Sequence, residues 1–185
     1  MPDEAIVLVD MVNDFVTGAL ECERAERIIP RLQTLLAEAR TAGVPVIYVN
    51  DAHLEEDFEM ELWGEHAMKG SEGADIIPEL APADGDYVLE KRTYSAFYDT
   101  GLDQLLRSLE AETLYITGLH TNMCCRHTSA DAYFRGYDLV ALSDGCEAFT
   151  EEAHEQGLEY LETVYGAEIT DVDAVVSAWR GAAVS

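Results

Sequence analysis

A cysteine capable of nucleophilic chemistry lies in the run Leu114–Tyr115–Ile116–Thr117–Gly118–Leu119–His120–Thr121–Asn122–Met123–Cys124–Cys125–Arg126–His127–Thr128. The apolar front half has the composition of a buried parallel strand, and Gly118 closes it. Thr121 then offers an N-cap for a helix spaced through Ala130, Ala132, Tyr133 and Phe134 to Gly136. Cys124 therefore falls in the first turn of a helix, at the carboxyl end of a strand. Backbone N–H groups and the helix dipole at that position favour a thiolate over a thiol. The competing account makes Cys124 and Cys125 two small buried hydrophobes.

A thiolate that attacks a carbonyl needs a proton acceptor, a nearby cation and donors for the oxyanion. Asp10, at the end of the apolar run Ala5–Val9, can take the thiol proton and return it to a leaving amine. Lys91 is one of only two lysines in the chain and can stabilise both anions. A second constellation is Asp51 with His53, joined by His66 from the following loop. One carboxylate and two imidazoles suit a divalent zinc, iron or manganese ion with positions left open. His127 and His154 read as ordinary helix residues.

These side chains need a scaffold that brings strand ends together. Val44–Val49, Tyr87–Glu90, Tyr137–Leu142 and Ala167–Thr170 join the two runs already named as buried strands. Helical spacing occupies residues 24–42, 100–109, 150–165 (Leu158, Leu161 and Val164 inward) and 171–179. Thr100 with Asp103 forms a capping-box pattern at the second of these. Residues 54–82 form a long irregular connection, the kind that carries function. The alternation of strand and helix predicts an α/β fold: a six-stranded parallel sheet with helices on both faces, a Rossmann-like three-layer sandwich in a single domain spanning 1–185. Ligands in such sheets sit beyond the carboxyl ends of the strands. Those ends deliver Asp10, Asp51 with His53, Lys91 and Cys124.

Composition narrows the partners. Thirty-seven acidic residues against 11 basic ones give a net charge of −26, which repels nucleic-acid phosphate and anionic lipid. Sparse lysine and evenly spread glutamate fit a salt-rich, halophilic cytoplasm, where screening relieves self-repulsion. No apolar run is long enough for a bilayer, and no basic-then-apolar leader opens the chain. A cytoplasmic location is the expectation. The four cysteines, at 22, 124, 125 and 146, show no C-x-x-C spacing and read as reduced thiols.

The ordered set Asp10-x-x-Asn13-Asp14-Phe15, Asn50-Asp51-Ala52-His53, Trp63-Gly64-Glu65-His66, Lys91-Arg92-x-Tyr94-Ser95-x-Phe97 and Gly118-x-x-Thr121-x-x-Cys124 resembles the isochorismatase-like cysteine hydrolases, a superfamily that includes the nicotinamidases. The resemblance runs from Ala5 to about Tyr165. It implies an Asp10–Lys91–Cys124 triad, a cis peptide before residue 120, and an oxyanion hole made by the backbone N–H groups of His120 and Cys124. It also implies metal ligation by Asp51, His53 and His66. Phe15 and Trp63 would wall a pyridine ring, with Tyr98 as a further substrate-binding residue. The chain departs from the nicotinamidase pattern after His53, where Leu54 follows instead of proline, and at His120, a position commonly small.

The resulting expectation is a metal-assisted amidohydrolase that cleaves a small carboxamide, most readily nicotinamide, through a thioester. The presence of Cys124 favours amide hydrolysis over an isochorismatase-type reaction. One alternative is a hydrolase for a carbamoyl or ureido amide, and another a non-catalytic acidic scaffold. Expected partners are a small-molecule amide and further copies of the chain in a homo-oligomer, with no nucleic acid or membrane.

Overall fold

A computed structural model describes residues Asp3–Ala182. Six parallel strands form one sheet: β1 (Glu4–Val9), β2 (Val46–Asp51), β3 (Tyr87–Lys91), β4 (Thr113–Leu119), β5 (Asp138–Glu147) and β6 (Glu168–Thr170), in the order β3-β2-β1-β4-β5-β6. The helices are α1 (Asn13–Val16), α2 (Ile29–Ala42), α3 (Glu59–Trp63), α4 (Leu102–Ser108), α5 (Cys124–Phe134), α6 (Glu151–Tyr165) and α7 (Val172–Ala182).

The period-2 alternation of strand side chains divides the core into two layers. Ile6 and Leu8 of β1 face one way, with Tyr48, Tyr115 and Leu142, and pack against Leu32, Leu35 and Leu36 of α2 and Val176 and Trp179 of α7. Ala5, Val7 and Val9 face the other way, against Leu102 and Leu106 of α4, Ala132 of α5 and Leu161 of α6. Burial on both faces explains why the central strands read as continuous apolar runs rather than alternating ones.

The strand order reverses between the parallel neighbours β1 and β4, the switch point where such sheets hold ligands. There Val9 pairs with Gly118. Gly118 has φ +100°, and a Cβ on it would meet the Val9 carbonyl oxygen at 2.0 Å. Only glycine permits this approach.

Several boundaries differ from the sequence reading. α5 begins at Cys124, and Thr121 does not cap it: the Thr121 hydroxyl instead pairs with His154 Nδ1 at 2.7 Å. His154 is therefore a buried anchor between the β4–α5 turn and α6, with its Nε2 3.1 Å from the Ser143 carbonyl, and not an ordinary helix residue. Val164 is 47% exposed, because the inward stripe of α6 runs through His154, Gly157 and Leu161. Thr100 Oγ1 accepts from the Leu102 N–H, so the second capping position is close to the one expected, although α4 spans only Leu102–Ser108. β5 continues to Glu147, well past Leu142, and carries the chain to the rim of the site.

No helix among the described residues is long and apolar enough to cross a membrane. The charge of −26 remains a folding problem, since like charges on one compact surface repel. Melting temperature is expected to rise by several degrees between low and molar salt. A flat or falling melting temperature would remove the halophile inference.

Candidate active site

Asp10, Lys91 and Cys124 converge beyond the carboxyl ends of β1, β3 and β4. Asp10 is wholly buried, and its φ of 57° turns the chain sharply out of β1. One Asp10 oxygen accepts the Asp51 N–H at 2.8 Å, and the other lies 2.8 Å from Lys91 Nζ. Lys91 Nζ also donates to Asp51 at 2.6 Å and stands 3.7 Å from Cys124 Sγ. One buried ammonium thus bridges two carboxylates and the thiol. Cys125 points elsewhere, its Sγ 3.8 Å from the Thr117 carbonyl oxygen.

The electrostatics correct one expectation. Burial above all, with Asp10 and Asp51 adding to it, holds the Cys124 thiol well above the ordinary cysteine range, although Lys91 pulls the other way. Desolvation and the two carboxylates outweigh Lys91 and the helix terminus, which favours the thiol form of Cys124. Burial, and then Asp51, push Asp10 up to about 7 against the pull of Lys91. Burial disfavours the Lys91 charge too, but Asp10 and Asp51 overcome it and keep the ammonium protonated far above the usual lysine range. A carboxylate near 7 beside a protonated thiol is suited to general base work at neutral pH.

The cation donors lie alongside. Asp51, His53 and His66 are joined by Glu59, all four buried, with one donor atom from each within 4.8 Å of the others. His53 Nδ1 is held by Asp57 at 3.2 Å and His66 Nδ1 by the Gly64 carbonyl at 2.8 Å. His53 Nε2 and Glu59 Oε1 are buried without hydrogen-bond partners. Imidazoles oriented through one nitrogen, with unpaired buried donors on the other side, fit a divalent metal ion. Two carboxylates and two imidazoles suit zinc, iron or manganese alike. Glu59 escaped the sequence reading because it is one glutamate among Glu55, Glu56, Glu61 and Glu65, and only burial sets it apart.

A partly open cavity with about 310 Å³ of empty space, the solvent at its mouth included, lies beside Cys124. Phe15, Trp63, His66 and His120 line it, together with Tyr94, Met123 and Phe149, which the sequence reading did not assign to a cavity. Trp63, 38% exposed, is tethered through its indole N–H to the Tyr94 hydroxyl at 3.1 Å. Tyr98 does not join them. It lies 66% exposed in a broad neighbouring groove with Phe58 and Phe134, because the chain after Tyr94 turns away from the cavity.

The peptide between Leu119 and His120 is cis, as the resemblance implied. Neither the His120 nor the Cys124 main-chain N–H bonds to another group among the described residues. Both are left available as donors for an oxyanion. Burial, followed by Lys91, lowers His120 to about 4, so its ring is neutral.

The fold and these strand ends define a member of the isochorismatase family: the Isochorismatase domain matches residues 4–174, and the chain belongs to that family of hydrolases. Among solved structures it is similar to N-carbamoylsarcosine amidase from Thermoplasma acidophilum, 40% identical, with a TM-score of 0.87 over 92% of this chain and 96% of that one. The nicotinamidase PncA from Bacillus subtilis is 30% identical, with a TM-score of 0.87 over 91% and 99% of the two chains. A pyrazinamidase of Pyrococcus horikoshii, determined in complex with zinc, is 26% identical, with a TM-score of 0.86 over 92% and 99%.

Proposed function

We propose that this chain is a cysteine amidohydrolase that cleaves a small carboxamide to a carboxylate and ammonia, with nicotinamide as the leading substrate. The observation that carries the reading is the contact of Asp10, Lys91 and Cys124 directly beside the buried Asp51, His53, Glu59 and His66 donors.

In this mechanism the Asp10 carboxylate takes the Cys124 proton as the sulfur attacks the amide carbon. The His120 and Cys124 N–H groups receive the carbonyl oxygen as it becomes an oxyanion. Asp10 then passes the proton to the departing nitrogen, and ammonia leaves a thioester on Cys124. Water attacks that thioester while Asp10 again accepts a proton, releasing the acid and the thiol. Lys91 stays protonated throughout and offsets the negative charge as it moves between sulfur and carboxylate. A metal ion held by Asp51, His53, Glu59 and His66 would supply Lewis-acid character and an open coordination position for a substrate heteroatom. Phe15 and Trp63 would hold a flat ring between them, each aromatic contact worth about 0.5–1.5 kcal/mol beyond burial.

A second reading, hydrolysis of a carbamoyl or ureido amide, draws on the cavity itself. The cavity lined by Phe15, Trp63 and Phe149 is narrow, and a ureido group needs less width there than a pyridine ring does. The likeness to N-carbamoylsarcosine amidase points the same way. Ammonia release from nicotinamide, N-carbamoylsarcosine and acetamide, by wild type and Trp63→Ala, decides between the two. Nicotinamide is expected to be the best substrate, and Trp63→Ala to lower its kcat/KM by about 10-fold more than that of acetamide. Equal losses would make Trp63 a loop anchor. Turnover of N-carbamoylsarcosine alone would replace the nicotinamide assignment.

A further inference from the structure

His120 carries more than a backbone donor. Its side chain is 3% exposed, lines the Cys124 cavity, stacks on Phe149 at 4.2 Å between ring centroids, and meets Phe15 edge-on at 5.7 Å. Its Nε2 is buried with no hydrogen-bond partner. The other unpaired buried atoms bordering the cavity or the triad have an account. His53 Nε2 and Glu59 Oε1 belong to the cation donors, and Asp10 Oδ2 faces Lys91. Asn50 and Asn122 do not line the cavity. Buried polar atoms in folded proteins are nearly always paired, so an orphan in a substrate cavity marks where a ligand supplies the partner.

We infer that His120 determines specificity by hydrogen-bonding a heteroatom on the acyl part of the substrate, close to the scissile carbonyl. The inference deepens the amidohydrolase reading above and rests on it. The reach of one residue sets the position. The His120 main-chain N–H faces the carbonyl oxygen in that reading, so an imidazole on the same Cα meets atoms within about two bonds of the carbonyl carbon. Phe15 touches both His120 and His66, at 5.7 and 5.6 Å. The cavity therefore has two polar poles along one aromatic wall: the cation donors and the His120 ring. A substrate that satisfies both carries a polar atom for each, in addition to its carboxamide. Plain nicotinamide has one ring heteroatom. The favoured class is a small carboxamide with a second hydrogen-bonding heteroatom adjacent to the carboxamide-bearing carbon, such as a diazine nitrogen or an α-hydroxyl.

Isosteric substrate pairs test this, because replacing one C–H or methyl group by a heteroatom leaves shape unchanged. Pyrazinamide differs from nicotinamide by a ring nitrogen beside the carboxamide carbon, and glycolamide differs from propanamide by a hydroxyl in place of a methyl group. The reading is the change in each kcat/KM ratio on going from wild type to His120→Leu, which cancels the intrinsic reactivity of the substrates. The heteroatom-bearing member is expected to lose about 10-fold more than its partner in at least one pair. His120→Gln, which keeps a donor and an acceptor, is expected to retain part of the preference. If His120→Leu does not fold, His120→Ala carries the same comparison. Ratios unchanged in every pair that turns over overturn the inference while leaving the amidohydrolase reading intact. Failure of wild type on the two ring amides, with turnover of the aliphatic pair, removes nicotinamide and leaves His120 to be judged on glycolamide. Hydrolysis of none of the four overturns both.

Discussion

Cys124→Ala is expected to lower amide hydrolysis by about 10⁴-fold or more, and Cys125→Ala, one residue along, to leave most of it. The two thiols are equally hidden, at 5% and 0% exposure, so accessibility does not separate them. Their partners do. Cys124 faces Lys91 and Asp10, whereas Cys125 lies against the Thr117 carbonyl on the strand behind it. Either truncation removes a single sulfur atom from a packed core and costs about 1 kcal/mol of stability. Melting curves should therefore look alike while turnover diverges. An active Cys124→Ala and an inactive Cys125→Ala would place the nucleophile one residue later than proposed. An inactive wild type with an unreactive Cys124 would return the chain to the scaffold reading.

Lys91→Met is expected to lower kcat/KM by at least about 10²-fold and to move its acid limb to higher pH. Asp10 must be ionised to take the thiol proton, so activity falls as pH drops through its value near 7. Lys91 lowers both Asp10 and Cys124. Its removal therefore raises both, leaving less base and a harder thiol to ionise at any given pH. The substitution also strands two buried carboxylates, Asp10 and Asp51, and breaking such a cluster costs about 3–5 kcal/mol. Circular dichroism at molar salt should accompany the kinetics, to separate lost folding from lost chemistry. A pH profile and a Cys124 alkylation profile both unchanged in the folded variant would remove Lys91 from the triad.

The elements most legible in the sequence were those with both faces buried. β1, β2 and β4 announce themselves as apolar runs, and the polar residues at or just past their ends are candidate site residues because parallel strands all point the same way. The less legible features depend on contacts across distant segments. Nothing local tells Thr121 to bind His154 on α6 instead of capping α5, and the partner lies 33 residues away. Glu59 looks like its neighbouring glutamates until the 54–82 connection folds inward and buries it. Position alone implied a thiolate at Cys124, since a helix start and a lysine both favour one. The opposing desolvation and the second carboxylate become visible only when β1, β2 and β3 are side by side. Tyr98, expected among the substrate-binding residues, lies 66% exposed outside the cavity that Phe15 and Trp63 line.

The contact between Gly118 and Val9 has a consequence for how this site can vary. Asp10 follows Val9 directly, and the peptide that leads to His120 follows Gly118 one residue later, so the proposed acid–base group and oxyanion donor hang from the point where two main chains touch. Their spacing is a property of the polypeptide backbone, shielded from changes in the side chains around it. Substrate preference is free to drift through Trp63 at the end of α3, or through His120 and Phe149 in the connections after β4 and β5, while the backbone geometry stays fixed. A single hydrogen in place of a methyl group at position 118 decouples what the protein acts on from how it acts.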